Sequence, residues 1–479
     1  MQYELLEPKK VFHFFKEIAG IPHGSGNTRQ LEDYCLAFAQ ERGLESYRDD
    51  YGNVMIFKPA SCGYEDHEPV ILQGHLDMVC EHAEGKQIDM KTQPITVQND
   101  ANRMWADGTT LGADDGIAIA FALAILDSEN VLHPPIEALF TVDEEVGLLG
   151  ANNLDVSKLK GRKLINIDSE EEGILTVSCA GAARVTCRVP ITENAPGECA
   201  ITVTVSGLLG GHSGFNIGAG RRNAVKVLGE ALDHVYQVAP FTIAEIHSGG
   251  TLNVIPQTAT AVIHANGKDC AAILLALQEF DAIMKKDCRI KDPGIAITAM
   301  PKDAVLVSTD EAGTRKLITA LMLLPQGVAT MSPTLKDLVQ TSLNLGALDY
   351  AAGELVFKYM IRSNTDHGKH QLKRQVARLV EYMEGTMVVE SEYNAWEERQ
   401  ESPLREVMEE VYADLYGEKP AISAMHAGLE CGIIAEKLGD VDAVSFGPTM
   451  RNVHTPMEEL DIHSVERTFK YLLHLLQKL

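Results

Sequence analysis

The chain has 479 residues, which is long for a single hydrophobic core and predicts two or more domains. Asp and Glu number 68 against 42 Lys and Arg, and the resulting formal charge of −26 repels nucleic acid and anionic lipid. Because of this charge we expect no nucleic-acid partner. No apolar run reaches membrane-spanning length, so we also expect no membrane partner.

The first elements are predicted to be two helices and a pair of strands. Residues 11–18 have the apolar spacing of a helix. Asn27 can cap a second helix, with Gln30 as the capping-box partner three residues later. Residues 50–53 form a turn signal that leads into a strand over 54–57.

The next strand delivers two polar side chains at its end. Residues 70–74 begin with an apolar, β-branched run typical of a buried strand. His75 and Asp77 follow it, and residues two apart on an extended backbone face the same side. A metal-bound imidazole needs an acceptor for its second nitrogen, and a carboxylate two residues along is well placed to be one.

Three further segments also place carboxylates at the ends of elements. A Gly-rich loop carries Asp114 and Asp115 into a buried helix over 117–126, and capping explains one acid but not both. A strand over 136–142 ends in an acidic run, Asp143, Glu144 and Glu145. A strand over 164–167 ends in Asp168. In an open α/β sheet the crevice lies beyond the carboxyl ends of the strands, so we expect these groups to converge.

From about residue 185 the pattern changes to strands rich in β-branched residues, alternating with helices. Strands are predicted over 186–189, 200–205 and 258–264, and helices over 221–238, 269–288 and 369–382. A polar connection over 390–399 leads to helices over 403–415 and 430–438, a strand over 443–446 and a final helix over 464–478. We therefore expect a discontinuous α/β catalytic domain, residues 1–184 and 386–479, interrupted by an inserted α+β lid domain, residues 185–385.

Five motifs occur in the order found in a known family. They are Gln73–Asp77, Gly112–Gly116, Asp143–Gly147, Asn166–Ser169 and His454–Pro456. In this respect the chain resembles the co-catalytic di-zinc peptidases, which include aminoacylases, glutamate carboxypeptidases and bacterial dipeptidases. The resemblance runs essentially end to end, and its most specific segments are Thr109–Asp114, Gly210–Gly214 and His426–Gly432.

The resemblance implies a metal centre and a general base. His75 and Asp168 would be terminal ligands of one metal, Glu145 and His454 would be terminal ligands of the other, and Asp114 would bridge both. Asp77 would orient His75, Glu144 would be the general base for a water shared by the metals, and Asp115, joined to Asp114 by a cis peptide bond, would not be a ligand. These donor types suit two Zn²⁺ ions, and Mn²⁺ or Co²⁺ also fits.

The resemblance also implies a substrate and the residues that hold it. His212 would stabilise the oxyanion, and Asn253, Arg362 and Gly428 match positions that contact substrate. Arg362 makes chemical sense as a bidentate partner of a peptide's C-terminal carboxylate. The implied zinc-peptidase-like fold has a mixed sheet with helices on both faces.

Within the family the chain resembles bacterial dipeptidases of broad specificity. These cleave unblocked dipeptides, including Xaa-His and β-alanyl-histidine. A tripeptidase, an N-acyl-amino-acid deacylase, a carboxypeptidase or a non-catalytic peptide-binding relative are the alternatives. The resemblance also implies that the inserted domain could serve as a dimerisation surface, as in relatives, so a homodimer is expected.

The cysteines and the N-terminus bear on the compartment. Nine cysteines are scattered without a C-x-x-C motif, which argues against a disulfide framework and for a reducing compartment. The first ten residues lack the apolar segment of a signal peptide. We therefore expect a cytoplasmic protein.

Overall fold

The computed structural model describes residues 6–195, 197–303 and 307–479. Residues 1–5, part of the segment from which the absence of a signal peptide was inferred, lie outside these ranges. The chain divides into two compact units. The first comprises Met1–Ser178, Trp396–Ala424 and Leu429–Leu479, and the second comprises Cys179–Ala395 and Met425–Gly428.

The helices and strands are numbered in chain order. The helices are α1 (Lys9–Ala19), α2 (Arg29–Glu41), α3 (Ala113–Leu126), α4 (Leu149–Asn153), α5 (Ala224–Tyr236), α6 (Cys270–Asp287), α7 (Glu311–Leu323), α8 (Asp366–Tyr382), α9 (Pro403–Tyr416), α10 (Glu430–Leu438) and α11 (Ile462–Lys478). The strands are β1 (Glu45–Arg48), β2 (Val54–Lys58), β3 (Val70–His75), β4 (Val97–Asn99), β5 (Arg103–Ala106), β6 (Ile136–Thr141), β7 (Lys163–Asn166), β8 (Ile174–Cys179), β9 (Gly181–Pro190), β10 (Glu193–Asn194), β11 (Cys199–Ser206), β12 (Thr242–Gly249), β13 (Ala259–Ala265), β14 (Ala296–Lys302), β15 (Ser308–Thr309), β16 (Gly327–Met331), β17 (Val339–Ala351), β18 (Glu354–Ser363), β19 (Thr386–Tyr393), β20 (Ala421–Met425), β21 (Asp442–Ser445), β22 (Met450–Arg451) and β23 (Glu459–Asp461).

The first unit contains an eight-stranded mixed sheet in the order β1-β2-β6-β3-β7-β21-β8-β20. Strand β3 is parallel to both of its neighbours, β6 and β7, and β7 is parallel to β21. Every residue of β3 and β6 is buried, as expected for parallel strands covered on both sides. Since β6, β3 and β7 run the same way, their carboxyl ends meet at one edge of the sheet, as the sequence predicted.

Helix α3 packs closely against β3, and a glycine makes this approach possible. Every residue of α3 is buried, consistent with its apolar sequence. A Cβ added at Gly74 would lie 2.5 Å from Asp115 Oδ2 and 2.6 Å from Ala118 Cβ. Any larger residue at position 74 would therefore push the start of α3 away from the strand that ends at His75.

The second unit is built on a nine-stranded sheet in the order β14-β11-β13-β12-β17-β18-β9-β19, with β16 also paired to β17. Helix α5 packs on β11 and β13, and α8 packs on β9 and β18. The predicted fold class, an α/β fold interrupted by an α+β insertion, is confirmed. The predicted domain limits, 185 and 385, lie inside this unit, which also takes in the segment Met425–Gly428.

Two local expectations were wrong. Helix α2 is preceded by Thr28, whose hydroxyl donates to Glu32, while the amide of Asn27 donates to the carbonyl of Lys91. Residues 390–399 were expected to be a polar connection, but the first of them belong to β19. The side chains of β19 are mostly exposed at the edge of the sheet, so the polar composition of this strand hid it from the sequence pattern.

One pair of cysteines is bonded, which is not the multi-disulfide framework that the sequence argued against, and the other seven cysteines, all among the described residues, form no disulfide. Cys199 at the start of β11 and Cys270 at the start of α6 form a disulfide across 71 residues of chain. The fold brings the start of β11 close to the start of α6, and the sequence separation of the two cysteines did not indicate this. Among the described helices, none is long and apolar enough to cross a membrane.

Candidate functional site

The polar residues predicted at the strand ends lie at one edge of the sheet in the first unit. His75 is the last residue of β3, Asp168 follows β7 by two residues, and Glu144 and Glu145 follow β6. Asp114 lies at the start of α3, where its backbone is not helical, and the Asp114–Asp115 peptide bond is cis. His454 lies in the loop between β22 and β23.

Asp114 stands between two imidazoles. Its Oδ1 lies 3.1 Å from His75 Nε2, and its Oδ2 lies 3.1 Å from His454 Nε2. Each imidazole also meets a second carboxylate, since His75 Nε2 is 3.8 Å from Asp168 Oδ1 and His454 Nε2 is 2.8 Å from Glu145 Oε1. The structure therefore contains two similar sets of one nitrogen and two oxygens that share Asp114.

The donor sets fit divalent metal ions. Ligand atoms of His75, Asp114 and Glu145, which come from both sets, lie within 4.8 Å of one another. One imidazole with carboxylate oxygens is a donor set that suits zinc and its neighbours in the first transition row. The carboxylates of Asp114 and Glu145 raise the pKa of His454 to about 11. Burial opposes a charge on His75, but neighbouring carboxylates raise its pKa well above the ordinary value, so both imidazoles lie where a positive charge is favoured.

Asp115 has a different environment from Asp114. Its side chain is completely buried, and its Oδ2 accepts a hydrogen bond from the backbone N–H of His75 at 3.2 Å. Ligand atoms of Asp115, His75 and Asp168 also lie within 4.8 Å of one another, so proximity alone does not exclude Asp115 as a ligand. Because one of its oxygens is engaged by the backbone of β3, Asp115 ties α3 to that strand.

Glu458 holds the loop that presents Asp114. Its Oε2 accepts the backbone N–H groups of Leu111 and Gly112 at 2.7 and 3.1 Å. Its Oε1 accepts those of Ala113 and Asp114 at 2.8 and 3.4 Å. Glu458 follows His454 by four residues, so one buried carboxylate links the loops that carry two of the predicted ligands.

The carboxylate of Asp77 contacts the backbone of the acidic loop more closely than it contacts His75. It accepts the N–H groups of Glu144 and Glu145 at 2.9 and 3.3 Å, together with the hydroxyl of Ser25 at 2.7 Å. His75 Nδ1 is 2.9 Å from the backbone carbonyl of Asp77 and 3.6 Å from its carboxylate. Burial opposes ionisation of Asp77, but the nearby imidazole of His75 and these hydrogen-bond donors outweigh it and leave the pKa lowered. Asp77 thus joins the strand end to the loop that carries Glu144.

Glu144 is half-buried in this loop. Burial raises its pKa well above the ordinary value, and the carboxylates of Glu430 and Glu145 act in the same direction. A carboxylate with a raised pKa accepts a proton more readily than an ordinary one, which is what a general base requires.

The predicted substrate-binding residues all lie in the second unit. A backbone bridge joins His212 to Val254, and the N–H of Ser213 donates to the carbonyl of Asn253 at 2.7 Å. His212 Nδ1 accepts the N–H groups of Gly214 and Phe215, both at 3.2 Å. The proton of a neutral ring must then be on Nε2, which is left as a donor. Burial lowers the pKa of His212 to about 4, assisted by the charge of Arg362, so the ring is neutral at physiological pH.

Arg362 and Asn253 are in contact. Arg362 Nη2 donates to Asn253 Oδ1 at 3.4 Å, and the side chain is only 5% exposed. Among the described residues, its Nε has no hydrogen-bond partner. A buried guanidinium with an unpartnered donor is suited to an anionic group. Gly428 is half-buried and ends the segment Met425–Gly428 of the same unit.

The sequence assigned no role to Ser25, Glu430 and Glu458 of the first unit or to His426 of the second. Ser25 and Glu458 lie near the predicted site residues but form no recognisable motif with them. His426 was noted only as part of a segment; it is buried, with Nε2 2.8 Å from Ser342 Oγ and Nδ1 3.0 Å from Asn364 Oδ1. Glu430 belongs to the same segment. Only the folded chain shows which groups these side chains contact.

The chain is similar to known peptidases over its full length. A family model described as peptidase family M20/M25/M40 matches residues 71–478. The cytosol non-specific dipeptidase of Escherichia coli is 34% identical over 480 residues, covering 99% of this chain and 98% of that protein.

Solved structures give the same result. The crystal structure of aminoacylhistidine dipeptidase from Vibrio alginolyticus superposes with a TM-score of 0.91 at 33% identity, covering 100% of this chain and 98% of that one. An aminopeptidase from Bacillus cereus, at 15% identity and a TM-score of 0.54 over 99% of both chains, shares the fold.

Proposed function

Because this chain belongs to peptidase family M20/M25/M40, we propose that it is a metal-dependent dipeptidase that hydrolyses unblocked dipeptides, including Xaa-His and β-alanyl-histidine. The names of the E. coli and Vibrio relatives support a dipeptidase and, for the latter, an aminoacyl-histidine substrate. The single observation that carries the proposal is the carboxylate of Asp114 between two imidazoles, each of which meets one further carboxylate.

We propose that His75, Asp168 and Asp114 hold one divalent ion, and that His454, Glu145 and Asp114 hold the other. The donor sets favour Zn²⁺, and Mn²⁺ or Co²⁺ also fits them. Such a pair supplies, when bound, a Lewis acid that polarises the scissile carbonyl and lowers the pKa of the attacking water.

Glu144 is proposed as the general base. Its carboxylate would take a proton from the attacking water and return it to the leaving amine, which must be protonated before the C–N bond breaks. Asp77 would fix this base by holding the N–H groups of Glu144 and Glu145. The pKa of Glu144 is raised above its ordinary value, first by burial, which makes this carboxylate a stronger base.

Residues of the second unit are proposed to bind the dipeptide. The guanidinium of Arg362 suits the C-terminal carboxylate, with Asn253 beside it. The Nε2–H of His212 suits the oxyanion of the tetrahedral intermediate, since Nδ1 is already an acceptor for two backbone groups. Gly428 is proposed to contact substrate through its backbone.

Glu144→Gln tests the assigned base. The variant should fold and bind two equivalents of metal, yet kcat should fall by about 10³-fold or more, because the amide cannot accept the proton. The control is Glu171→Gln, which removes the same charge from an exposed residue near the end of β7. A Glu144→Gln enzyme that keeps full turnover would exclude this base.

A panel of substrates separates the dipeptidase from its alternatives. β-Alanyl-histidine, Gly-Gly-Gly and an N-acetyl amino acid, assayed side by side, distinguish a dipeptidase from a tripeptidase and from a deacylase. A protein that binds these compounds but hydrolyses none would be a peptide-binding relative. Retention of all five predicted ligands and of Glu144 argues against that alternative.

Two further expectations remain predictions. We propose a cytosolic location, supported by the name of the E. coli relative. We also propose a homodimer, which sedimentation velocity on the purified protein would test.

A further inference from the structure

Beneath the candidate metal centre lies a buried carboxyl group that no proposed step uses. Glu430, the first residue of α10, is 0% exposed. Its Oε2 accepts the amide of Gln73 at 2.6 Å and the hydroxyl of Thr141 at 2.5 Å. Gln73 Oε1 in turn accepts the amide of Asn166 at 2.6 Å. Glu430 therefore belongs to a network that spans three strands.

The members of this network are placed regularly with respect to the site. Gln73 lies on β3 two residues before His75, and Asn166 lies on β7 two residues before Asp168. Thr141 is the last residue of β6, just before the loop that carries Glu144 and Glu145. Since side chains two apart on a strand share a face, the network forms the layer directly next to the predicted ligands.

A stabilising role alone does not account for this carboxyl group. Among the described residues, no Lys or Arg forms an ion pair with Glu430, and its Oε1 has no hydrogen-bond partner. A buried acid without a cation is costly, and an apolar residue of similar volume is often as stable or more so. Its position beside the ligand-bearing strand ends points instead to a role in the site.

We propose that Glu430 is a positioning residue for the metal pair. Its carboxyl group holds Gln73 and Thr141, and through Gln73 also Asn166, and so sets the spacing of the three strand ends that present His75, Glu145 and Asp168. The inference rests on the proposed metal-dependent function. Groups that orient metal ligands typically change metal affinity or activity by about 10- to 100-fold when removed.

The test compares three variants of the full-length protein. Glu430→Ala removes the acceptor, and Glu430→Gln keeps an acceptor oxygen for Gln73 and Thr141. Glu137→Ala is the matched control, because Glu137 is also buried, lies at the other end of β6 and accepts the backbone N–H groups of Lys160 and Gly161. Co²⁺ and Zn²⁺ affinities are measured by chelator competition, and the Co²⁺ absorption spectrum reports the ligand geometry.

We expect Glu430→Ala to bind metal about 10- to 100-fold more weakly, with an altered Co²⁺ spectrum. Glu430→Gln should recover to within about threefold of the wild type, while Glu137→Ala should lose stability but keep wild-type metal affinity. Equal weakening in the Glu430 and Glu137 variants, or an unchanged affinity and spectrum in Glu430→Ala, would overturn the proposal.

Two results separate this inference from the function on which it rests. A wild-type protein that binds no divalent metal would refute the proposed function, and the role of Glu430 with it. A wild-type protein that binds two ions, with Glu430→Ala unaffected, would refute only the positioning role. If Glu430→Ala does not fold, Thr141→Val replaces it, because this variant removes one of the two donors to Glu430. We expect Thr141→Val to bind metal at least about threefold more weakly than the wild type. An unchanged metal affinity would overturn the proposal.

Discussion

Replacing Glu458 by Gln perturbs the loop of the bridging carboxylate without changing the size of the side chain. In the wild type each oxygen of Glu458 accepts two backbone N–H groups from the segment Leu111–Asp114. A Gln side chain has one oxygen and one NH₂ group. Whichever way the amide is turned, the NH₂ group faces two N–H donors and leaves them without an acceptor.

The cost follows from these contacts. The less costly orientation places the NH₂ group against Ala113 and Asp114, because the Asp114 contact is already long at 3.4 Å. A buried donor that loses its acceptor costs about 1–3 kcal/mol, so we expect Glu458→Gln to lower the free energy of unfolding by about 2–4 kcal/mol. Displacement of Asp114 should also weaken metal binding by about tenfold or more.

Urea unfolding and chelator competition measure the two effects separately. Glu137→Gln is the control, since that carboxylate also accepts buried backbone N–H groups but lies at the far end of β6. It should lower stability and leave metal affinity unchanged. If Glu458→Gln unfolds within about 0.5 kcal/mol of the wild type and binds metal equally well, the four hydrogen bonds do not hold the loop as described.

Three further predictions concern pH, the Ser25 contact and metal removal. Burial, assisted by Arg362, lowers the pKa of His426 from 6.5 to about 3, so the unfolded chain takes up a proton at a higher pH than the folded one does. The free energy of unfolding of the wild type should therefore fall as pH drops below about 6.5, by about 1 kcal/mol per pH unit more than that of His426→Gln. Equal dependence of the two unfolding free energies on pH, measured by urea unfolding, would contradict this. Ser25→Ala removes the hydroxyl that donates to Asp77, and we expect kcat to fall about tenfold with KM nearly unchanged; unaltered kcat would show that Asp77 does not need this support. Stripping metal with a chelator should abolish activity, and full activity of the stripped protein would refute a metal-dependent mechanism. Restoring an ion at about 1,000 times its Kd should raise the free energy of unfolding by about 4 kcal/mol.

Much of the site was predictable because its residues occupy positions with a direct structural meaning. Apolar runs marked β3, β6 and β7 as buried parallel strands, and such strands end at a common edge, so His75, Glu145 and Asp168 had to lie near one another. The Gly-rich loop before a buried helix indicated Asp114, and resemblance to a family added its bridging role and His454. The strand β19 was missed because an exposed edge strand has no apolar pattern to reveal it.

The sequence by itself determined which strands are buried, which acids follow them, and that a glycine stands at position 74. Only the tertiary structure decided that Asp77 holds the Glu144 loop with Ser25, that Glu458 clamps the loop of Asp114, and that Glu430 joins three strands. These contacts link residues 52 to 357 positions apart. A hydrogen bond needs two groups within about 3 Å, and no local pattern records which distant segments the fold brings to that distance.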